Sequence, residues 1–233
     1  VITILQRKHK TILGIYHDNY VQPLSRKIGP IFLKPSKKIP AQTGDVVEVK
    51  IQRYEEKHQG MRGKIVRRLG EEGNKGLDAK IVMEEFDLPE EFPPDVLEEA
   101  RSLTMGDDEG RKRVEDLVFT MDGRDAKDFD DAISIVKTDS GYRLGVHIAD
   151  VSHFVKEGSS LDREALKRGT SVYLVDKVVP MLPEEISNEL SSLNPGEDKY
   201  CLSVEMELDQ QGNVVSSDIF PSILQSSYRL VYE

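Results

Sequence analysis

Five aspartates lie within ten positions of this sequence, at Asp122, Asp125, Asp128, Asp130 and Asp131. Carboxylates spaced this closely repel one another, and hydrophobic packing gives no reason for them. Hard divalent cations prefer oxygen ligands, and Mg²⁺ is commonly held by a few carboxylates together with water. The spacing therefore predicts a site for divalent cations.

The elements around the aspartates should bring them together. Asp122 ends an apolar run typical of a strand, and the later aspartates follow a loop long enough to fold back onto that strand end. Three or four converging carboxylates suffice for two ions about 4 Å apart, an arrangement that serves phosphodiester hydrolysis. Asp125 lies between basic residues, and we assign it to solvent.

The aspartates also allow other interpretations. Zinc is disfavoured because no His or Cys lies within the cluster. An EF-hand requires a glycine where Ala132-Ile133 stands. A structural calcium loop and a simply solvated acidic loop stay open, although Phe129 and Ala132 interrupt the charges and β-type sequence follows at once.

Charge is divided unevenly along the chain, whose net charge is -10. Residues 1–70 contain 15 Lys and Arg against 5 Asp and Glu, whereas residues 71–233 contain 17 against 37. This division indicates a phosphate-binding module joined to a metal-binding one.

The fold class predicted is mixed: a small OB or cold-shock barrel followed by an α+β domain. Residues 1–70 hold short strand patterns at 11–16, 29–33, 46–51 and 61–68 without a helical period. Residues 71–112 are predicted as a connector with helices at 77–86 and 95–103. Residues 113–233 alternate strands, hairpins and short helices.

A barrel of this kind binds single-stranded nucleic acid through aromatic and basic side chains. Tyr16 and Tyr20 are candidate stacking surfaces, whereas Phe32, between two aliphatic residues, is interpreted as core. Basic residues are the stronger signal for contact with phosphate. They include Lys34, Lys64 and Arg67, with Arg26, Lys27, Lys37, Lys38 and Arg68.

The aspartate pattern Asp122-x5-Asp128-x-Asp130-Asp131 resembles that of the ribonuclease II/R family, through its RNB domain. The likeness continues through Gly-Val-His-Ile-Ala-Asp-Val-Ser-His-Phe-Val at 145–155. Further matching runs are Arg-Gly-Thr-Ser-Val-Tyr-Leu at 168–174, Pro-Met-Leu-Pro at 180–183 and Ser-Leu-Asn-Pro at 192–195. The N-terminal part resembles, more weakly, the cold-shock domain that precedes RNB.

The resemblance implies a 3′→5′ exoribonuclease that hydrolyses single-stranded RNA processively with Mg²⁺ and releases nucleoside 5′-monophosphates. By motif position, Asp122, Asp128, Asp130 and Asp131 match the active-site aspartates and metal ligands. Asp130 matches the one whose loss is most damaging. Tyr173 matches a tyrosine that stacks near the 3′-terminal nucleotide.

Several other polar residues are predicted to be structural. His147 and His153 have little use at an oxygen-only Mg²⁺ site, and Asp150 should bond locally to Ser152 or His153. The single cysteine, Cys201, is expected in the core. It excludes an internal disulfide and, with no apolar run long enough for a membrane helix, favours a cytoplasmic protein.

The part of an RNB domain present here is much shorter than the complete domain that the resemblance implies. The resemblance implies that the family's later active-site glutamate and arginine fall beyond residue 233, so we expect a fragment that turns over poorly. A rival interpretation is a non-catalytic RNA-binding protein whose acidic metal loop is structural. A third is a nuclease acting on DNA.

Overall fold

The computed structural model describes residues 10–33, 39–54, 60–107 and 110–232. The chain folds into two compact units, Val1–Glu90 with Tyr173–Val178, and Glu91–Val172 with Val179–Glu233. The domain limits predicted from the sequence, at residues 70 and 112, stay a prediction. In the described ranges no helix is both long and apolar enough to cross a membrane.

A closed five-stranded barrel forms most of the first unit, as the sequence predicted. Neighbouring strands follow the order β1-β2-β3-β5-β4, and pairing of β1 with β4 closes the barrel. Branched side chains fill the interior, with Val21, Ile31, Val47 and Val49 all fully buried. The strands are β1 Thr11–His17, β2 Tyr20–Pro23, β3 Ile31–Leu33, β4 Asp45–Arg53 and β5 Met61–Glu71.

Phe32 corrects one interpretation of the sequence. We expected its ring in the core, but the side chain is 49% exposed. Successive side chains of a strand point to opposite faces, so the fully buried Ile31 in β3 directs Phe32 outward. Flanking aliphatic residues therefore misled the prediction.

Two helices follow the barrel strands, close to their predicted positions. Helix α1 spans Leu77–Glu85 in the first unit, and helix α2 spans Pro94–Ser102 in the second. Pro94 begins α2, where its missing N–H costs no helical hydrogen bond.

A seven-stranded sheet organises the second unit. Its order is β14-β7-β8-β9-β12-β13-β6, antiparallel except for the outer pairs β14 with β7 and β6 with β13. The mostly antiparallel α+β prediction is confirmed. In chain order the remaining elements are β6 Lys112–Arg113, β7 Val118–Asp122, β8 Asp131–Lys137, β9 Gly141–Ala149, α3 Val151–Phe154, α4 Ser160–Arg168, β10 Val172–Tyr173, β11 Val178–Val179, a π-helical turn Glu185–Leu190, β12 Asp198–Asp209, β13 Val214–Gln225 and β14 Tyr228–Val231.

Two clusters of buried side chains hold the second unit together. In the first, Val96 of α2 and Leu161 of α4 pack with Tyr200 of the sheet. In the second, Val118, Phe129 and Cys201 are among the buried members, so Cys201 lies in the core as predicted. Burial raises the pKa of its thiol to about 12.

The sequence analysis did not identify the final strand, β14. Strand β14 runs parallel to β7, with Tyr228 opposite Phe119 and Val231 opposite Asp122. Its four residues are exposed, so no buried periodicity marked it as a strand. Its position matters because β7 leads directly into the aspartate loop.

Candidate metal and RNA site

The aspartate loop, residues 123–130, connects antiparallel strands β7 and β8. Asp122 is the last residue of β7 and Asp131 the first of β8. Both carboxylates therefore lie at the same end of these two neighbouring strands. The predicted return of the loop onto the strand end is therefore present.

Buried contacts fix the second half of the loop. Phe129 is only 4% exposed, and its backbone N–H donates to Ser192 Oγ at 3.0 Å. Ser192 Oγ in turn donates to the carbonyl of Lys127 at 2.8 Å. The N–H of Ala149 donates to the Asp130 carbonyl at 2.8 Å. The backbone bonds hold this part of the loop against the protein, and burial of the Phe129 ring explains why an apolar residue interrupts the acidic run.

Burial and the charges of neighbouring carboxylates raise the pKa of two aspartates in this region, Asp122 and Asp130. Burial, followed by the charge of Asp131, raises the pKa of Asp122. Asp130 keeps an exposed side chain, but the protein atoms crowding it exclude enough water to raise its pKa, with Asp128 and Asp131 adding to the shift. Asp125 is exposed, in agreement with its assignment to solvent.

One carboxylate oxygen is poorly paired. Asp122 Oδ2 is buried and makes no hydrogen bond of good geometry within the described part of the chain; the Thr120 hydroxyl, which also lacks one there, lowers the pKa of Asp122 less than burial and Asp131 raise it. Burying an unpaired charged oxygen is costly, and a bound cation is one way to offset the cost.

The four predicted ligands are all carboxylates, whose oxygen atoms are the ligand type that hard divalent ions prefer. In residues 10–33, 39–54, 60–107 and 110–232, however, no three Asp, Glu, His or Cys side chains converge tightly enough to hold a metal. The charges of the neighbouring carboxylates thus help to raise the pKa of Asp122 and Asp130, although the four groups do not enclose an ion.

Arg229 is a residue that the sequence analysis missed. Its guanidinium donates to three carbonyls of the aspartate loop and lies over the ring of Phe129. A single arginine in a short segment far along the chain from the aspartates has no sequence pattern that would indicate a contact with them. Only the pairing of β14 with β7 brings it there.

An aromatic–basic face lies on the outside of the barrel. The His17 and Tyr20 rings stack with centroids 4.8 Å apart, and Tyr20 lies 6.5 Å from the exposed Phe32. Strand register sets Arg62 beside Phe32 and places Lys50 directly opposite Lys64. We define this face as His17, Tyr20, Phe32, Lys50, Arg62 and Lys64.

Like charges opposite each other in a sheet are destabilising, so the Lys50–Lys64 pair would gain from a bound anion. Both lysines are exposed, and Lys64 has no ion-pair partner among the residues that the structure describes. The predicted contribution of Lys64 to phosphate binding stays a prediction, and its placement suits one.

The other residues predicted to bind RNA are placed differently. Tyr16 packs partly buried against the barrel core, with its hydroxyl donating to the Asp18 carbonyl at 3.0 Å. Arg67 bonds two carboxylates, Glu48 at 3.2 Å and Glu84 at 2.5 Å. Tyr173 is 67% exposed in β10, and Lys34 lies outside the described residues.

The two histidines of the sheet region have structural partners, as expected. His147 is fully buried, with Nε2 3.1 Å from Ser134 Oγ and Nδ1 2.7 Å from Ser203 Oγ, and burial lowers its pKa. Asp150 Oδ1 accepts from Ser152 Oγ at 2.7 Å and from the His153 N–H at 3.1 Å.

Comparisons with known proteins agree with this architecture. Residues 20–93 match the family model of a cold shock domain, and residues 111–233 match that of the RNB domain. Over the whole chain the sequence is 43% identical to ribonuclease R of Thermotoga maritima, of which it covers 35%. The chain thus spans about a third of that relative's length.

Solved structures give the same result. The fold matches Mycoplasma genitalium RNase R in complex with double-stranded RNA, with a TM-score of 0.85, 29% identity, and coverage of 100% of this chain and 43% of that one. The same enzyme in complex with ribose methylated single-stranded RNA matches with a TM-score of 0.82, 28% identity, and coverage of 99% and 38%.

These findings define a class of protein in which a cold-shock barrel is joined to an RNB domain. The chain belongs to the ribonuclease II/R family, which carries the RNB domain.

Proposed function

We propose that this chain belongs to a 3′→5′ exoribonuclease that hydrolyses single-stranded RNA with Mg²⁺ and releases nucleoside 5′-monophosphates. Support comes from its similarity over its full length to a ribonuclease R and from its structural likeness to RNase R bound to RNA. The single cysteine further supports a cytoplasmic location for the protein.

The observation that carries the proposal is the buried Oδ2 of Asp122, which has no hydrogen bond of good geometry among the described residues, in a carboxylate whose pKa is raised, as is that of Asp130. A folded protein rarely keeps such a group without a ligand. Asp122, Asp128, Asp130 and Asp131 would hold the ions. Bound Mg²⁺ would supply the positive charge that activates water and stabilises the departing oxygen.

The aromatic–basic face would contribute RNA binding that does not depend on base sequence. Its rings offer stacking surfaces to bases, and its lysines and Arg62 offer charges to phosphates. Phe32 replaces Tyr16 as the preferred stacking residue, because Phe32 is exposed whereas the Tyr16 ring packs against the core.

The test is decay of 5′-labelled single-stranded RNA by the full-length protein carrying Asp130→Asn. We expect the Mg²⁺-dependent rate to fall at least about 10³-fold, since a metal ligand and transition-state contact is lost. Asp125→Asn is the matched control in the same loop, and its rate should equal that of the parent. Equal rates for parent and Asp130→Asn would refute the assignment.

The rival function is a non-catalytic RNA-binding protein with a structural acidic loop. The lack of three tightly convergent carboxylates among the described residues favours it. Chelation separates the two: loss of RNA cleavage with intact RNA binding supports the exoribonuclease. Loss of folding, with no cleavage before chelation, supports the rival. Parallel decay of matched RNA and DNA oligomers tests the third possibility of a DNA nuclease.

A further inference from the structure

Arg229 is placed beside the aspartate loop by the register of two strands. Strand β14 pairs with β7 so that Arg229 lies opposite Thr120, and the Tyr232 N–H donates to the Asp122 carbonyl at 3.3 Å. Opposed residues in a sheet share a face. The Arg229 side chain therefore leaves the strand on the face where Thr120 and Asp122 lie.

The guanidinium binds the backbone of the loop rather than its carboxylates. Nη2 donates to the carbonyls of Gly123 at 3.3 Å, Arg124 at 2.5 Å and Ala126 at 3.2 Å. The guanidinium carbon lies 4.8 Å from the centroid of the buried Phe129 ring. The Arg229 side chain thus contacts the loop from Gly123, its first residue, to the buried Phe129.

These contacts hold the half of the loop that the Ser192 bonds do not reach. Ser192 fixes Lys127 and Phe129, whereas Arg229 fixes residues 123–126. Without Arg229, the carbonyls of residues 123–126 would lose these three hydrogen bonds, and the packing of Ala126 against the buried cluster would hold this half of the loop less firmly.

We infer that Arg229 is a positioning residue, a clamp on the aspartate loop that sets the relative placement of Asp122 and Asp128–Asp131 for divalent cations. The inference rests on the proposed function of those carboxylates as metal ligands. The clamp requires arginine because its guanidinium plane lies over the Phe129 ring while Nη2 reaches the loop carbonyls, and the shorter, non-planar lysine side chain cannot make both contacts.

Charge and geometry predict opposite results for Arg229, and this makes the clamp testable. The positive charge of Arg229 acts on Asp122, so charge alone weakens the attraction of a cation. Removing that charge should then tighten cation binding. If Arg229 acts as a clamp, its removal should loosen the loop and weaken binding instead.

The experiment measures Mn²⁺ affinity by titration calorimetry and amide hydrogen exchange of residues 123–128 in the intact chain. Arg229→Ala should weaken Mn²⁺ about tenfold and speed loop exchange about tenfold, the equivalent of losing one or two net hydrogen bonds. Arg229→Lys should recover less than half of either change. Arg113→Ala, which breaks an exposed ion pair with Asp198, is the matched control and should change neither quantity.

Unchanged loop exchange in Arg229→Ala, or tighter Mn²⁺ binding, overturns the clamp. If the parent chain binds no Mn²⁺ or Mg²⁺, the metal assignment under the proposed function fails. The exchange rates alone then decide the clamp: faster exchange in Arg229→Ala than in Arg113→Ala supports it, and equal rates refute it.

Discussion

The carboxylate of Asp130 illustrates how a site can oppose the stability of the fold that carries it. Its pKa is raised by restricted solvation and by neighbouring aspartates, so the folded chain binds a proton more readily than the unfolded chain. The penalty is fully present above this raised pKa and fades as the pH falls through it toward the value of the unfolded chain. Charged Asp130 therefore destabilises the metal-free protein at neutral pH.

Asp130→Asn should consequently raise the melting temperature of the chelated chain near pH 7 by about 1–3 °C. The gain stays small because the side chain is exposed and solvent screens its charge. It should shrink as the pH is lowered toward about 4. Calorimetric scans in chelator at several pH values measure it.

Asp125→Asn is the control for this stability effect, since it removes an exposed carboxylate from the same loop. Its melting temperature should match that of the parent at each pH. A lower melting temperature for Asp130→Asn in chelator would show that the charged carboxylate makes stabilising contacts. That result would contradict a net destabilisation by restricted solvation and neighbouring aspartates.

Among single residues, the sequence predicted correctly what depends on local surroundings. The exposure of Asp125 followed from its flanking charges, and the meeting of Asp122 and Asp131 at two strand ends followed from the strand patterns, whereas the metal-binding role of the aspartates stays a prediction. Arg229 could not be recognised, because its role arises from a strand pairing between residues more than a hundred positions apart. Phe32 was misplaced because its neighbours are aliphatic, although the period of the strand decides its face.

Strand β1 of the barrel shows how an element depends on one small residue. A Cβ at Gly14 would lie 2.4 Å from the Gln22 carbonyl oxygen and 2.5 Å from a Val21 methyl carbon. These atoms belong to β2, which pairs with β1 at this point. Glycine therefore permits a close approach of the two strands.

Gly14→Ala should destabilise the barrel by about 2–3 kcal/mol, because backbone as well as side chain must shift to accept the methyl group. The free energy of unfolding can be measured by denaturant titration. Gly29→Ala is the control in the same barrel, where an added Cβ meets nothing within 4 Å. Equal stabilities of the two variants would contradict the close approach.

At the scale of elements, most strands and helices followed from hydrophobic period, turn residues and helix caps. Helix α4 is an example, since it ends at Gly169, whose left-handed backbone conformation is typical of a glycine after a helix. The misses were the short strands β2, β6 and β14: β2 alternates in burial but has only four residues, and β6 and β14 consist of exposed residues. Partners distant in sequence determine such strands.

For the whole molecule, uneven charge has a consequence that binding measurements can test. Basic residues are concentrated in residues 1–70, in a chain whose net charge is -10. RNA should therefore bind through local cations against an unfavourable overall charge. Such binding weakens steeply with salt, by about 0.7 in the logarithmic slope for each phosphate contact with a single strand.

Lys64→Gln should lower the magnitude of the salt slope by about 0.7 and weaken binding of single-stranded RNA at low salt, because Lys64 is exposed opposite Lys50. Fluorescence anisotropy across a series of salt concentrations gives the slope. Lys137→Gln is the matched control, since it removes an equally exposed lysine from β8 in the acidic part of the chain. Its slope should equal that of the parent if contact, rather than net charge, governs binding. If both variants reduce the slope equally, the barrel face is not where phosphate is bound.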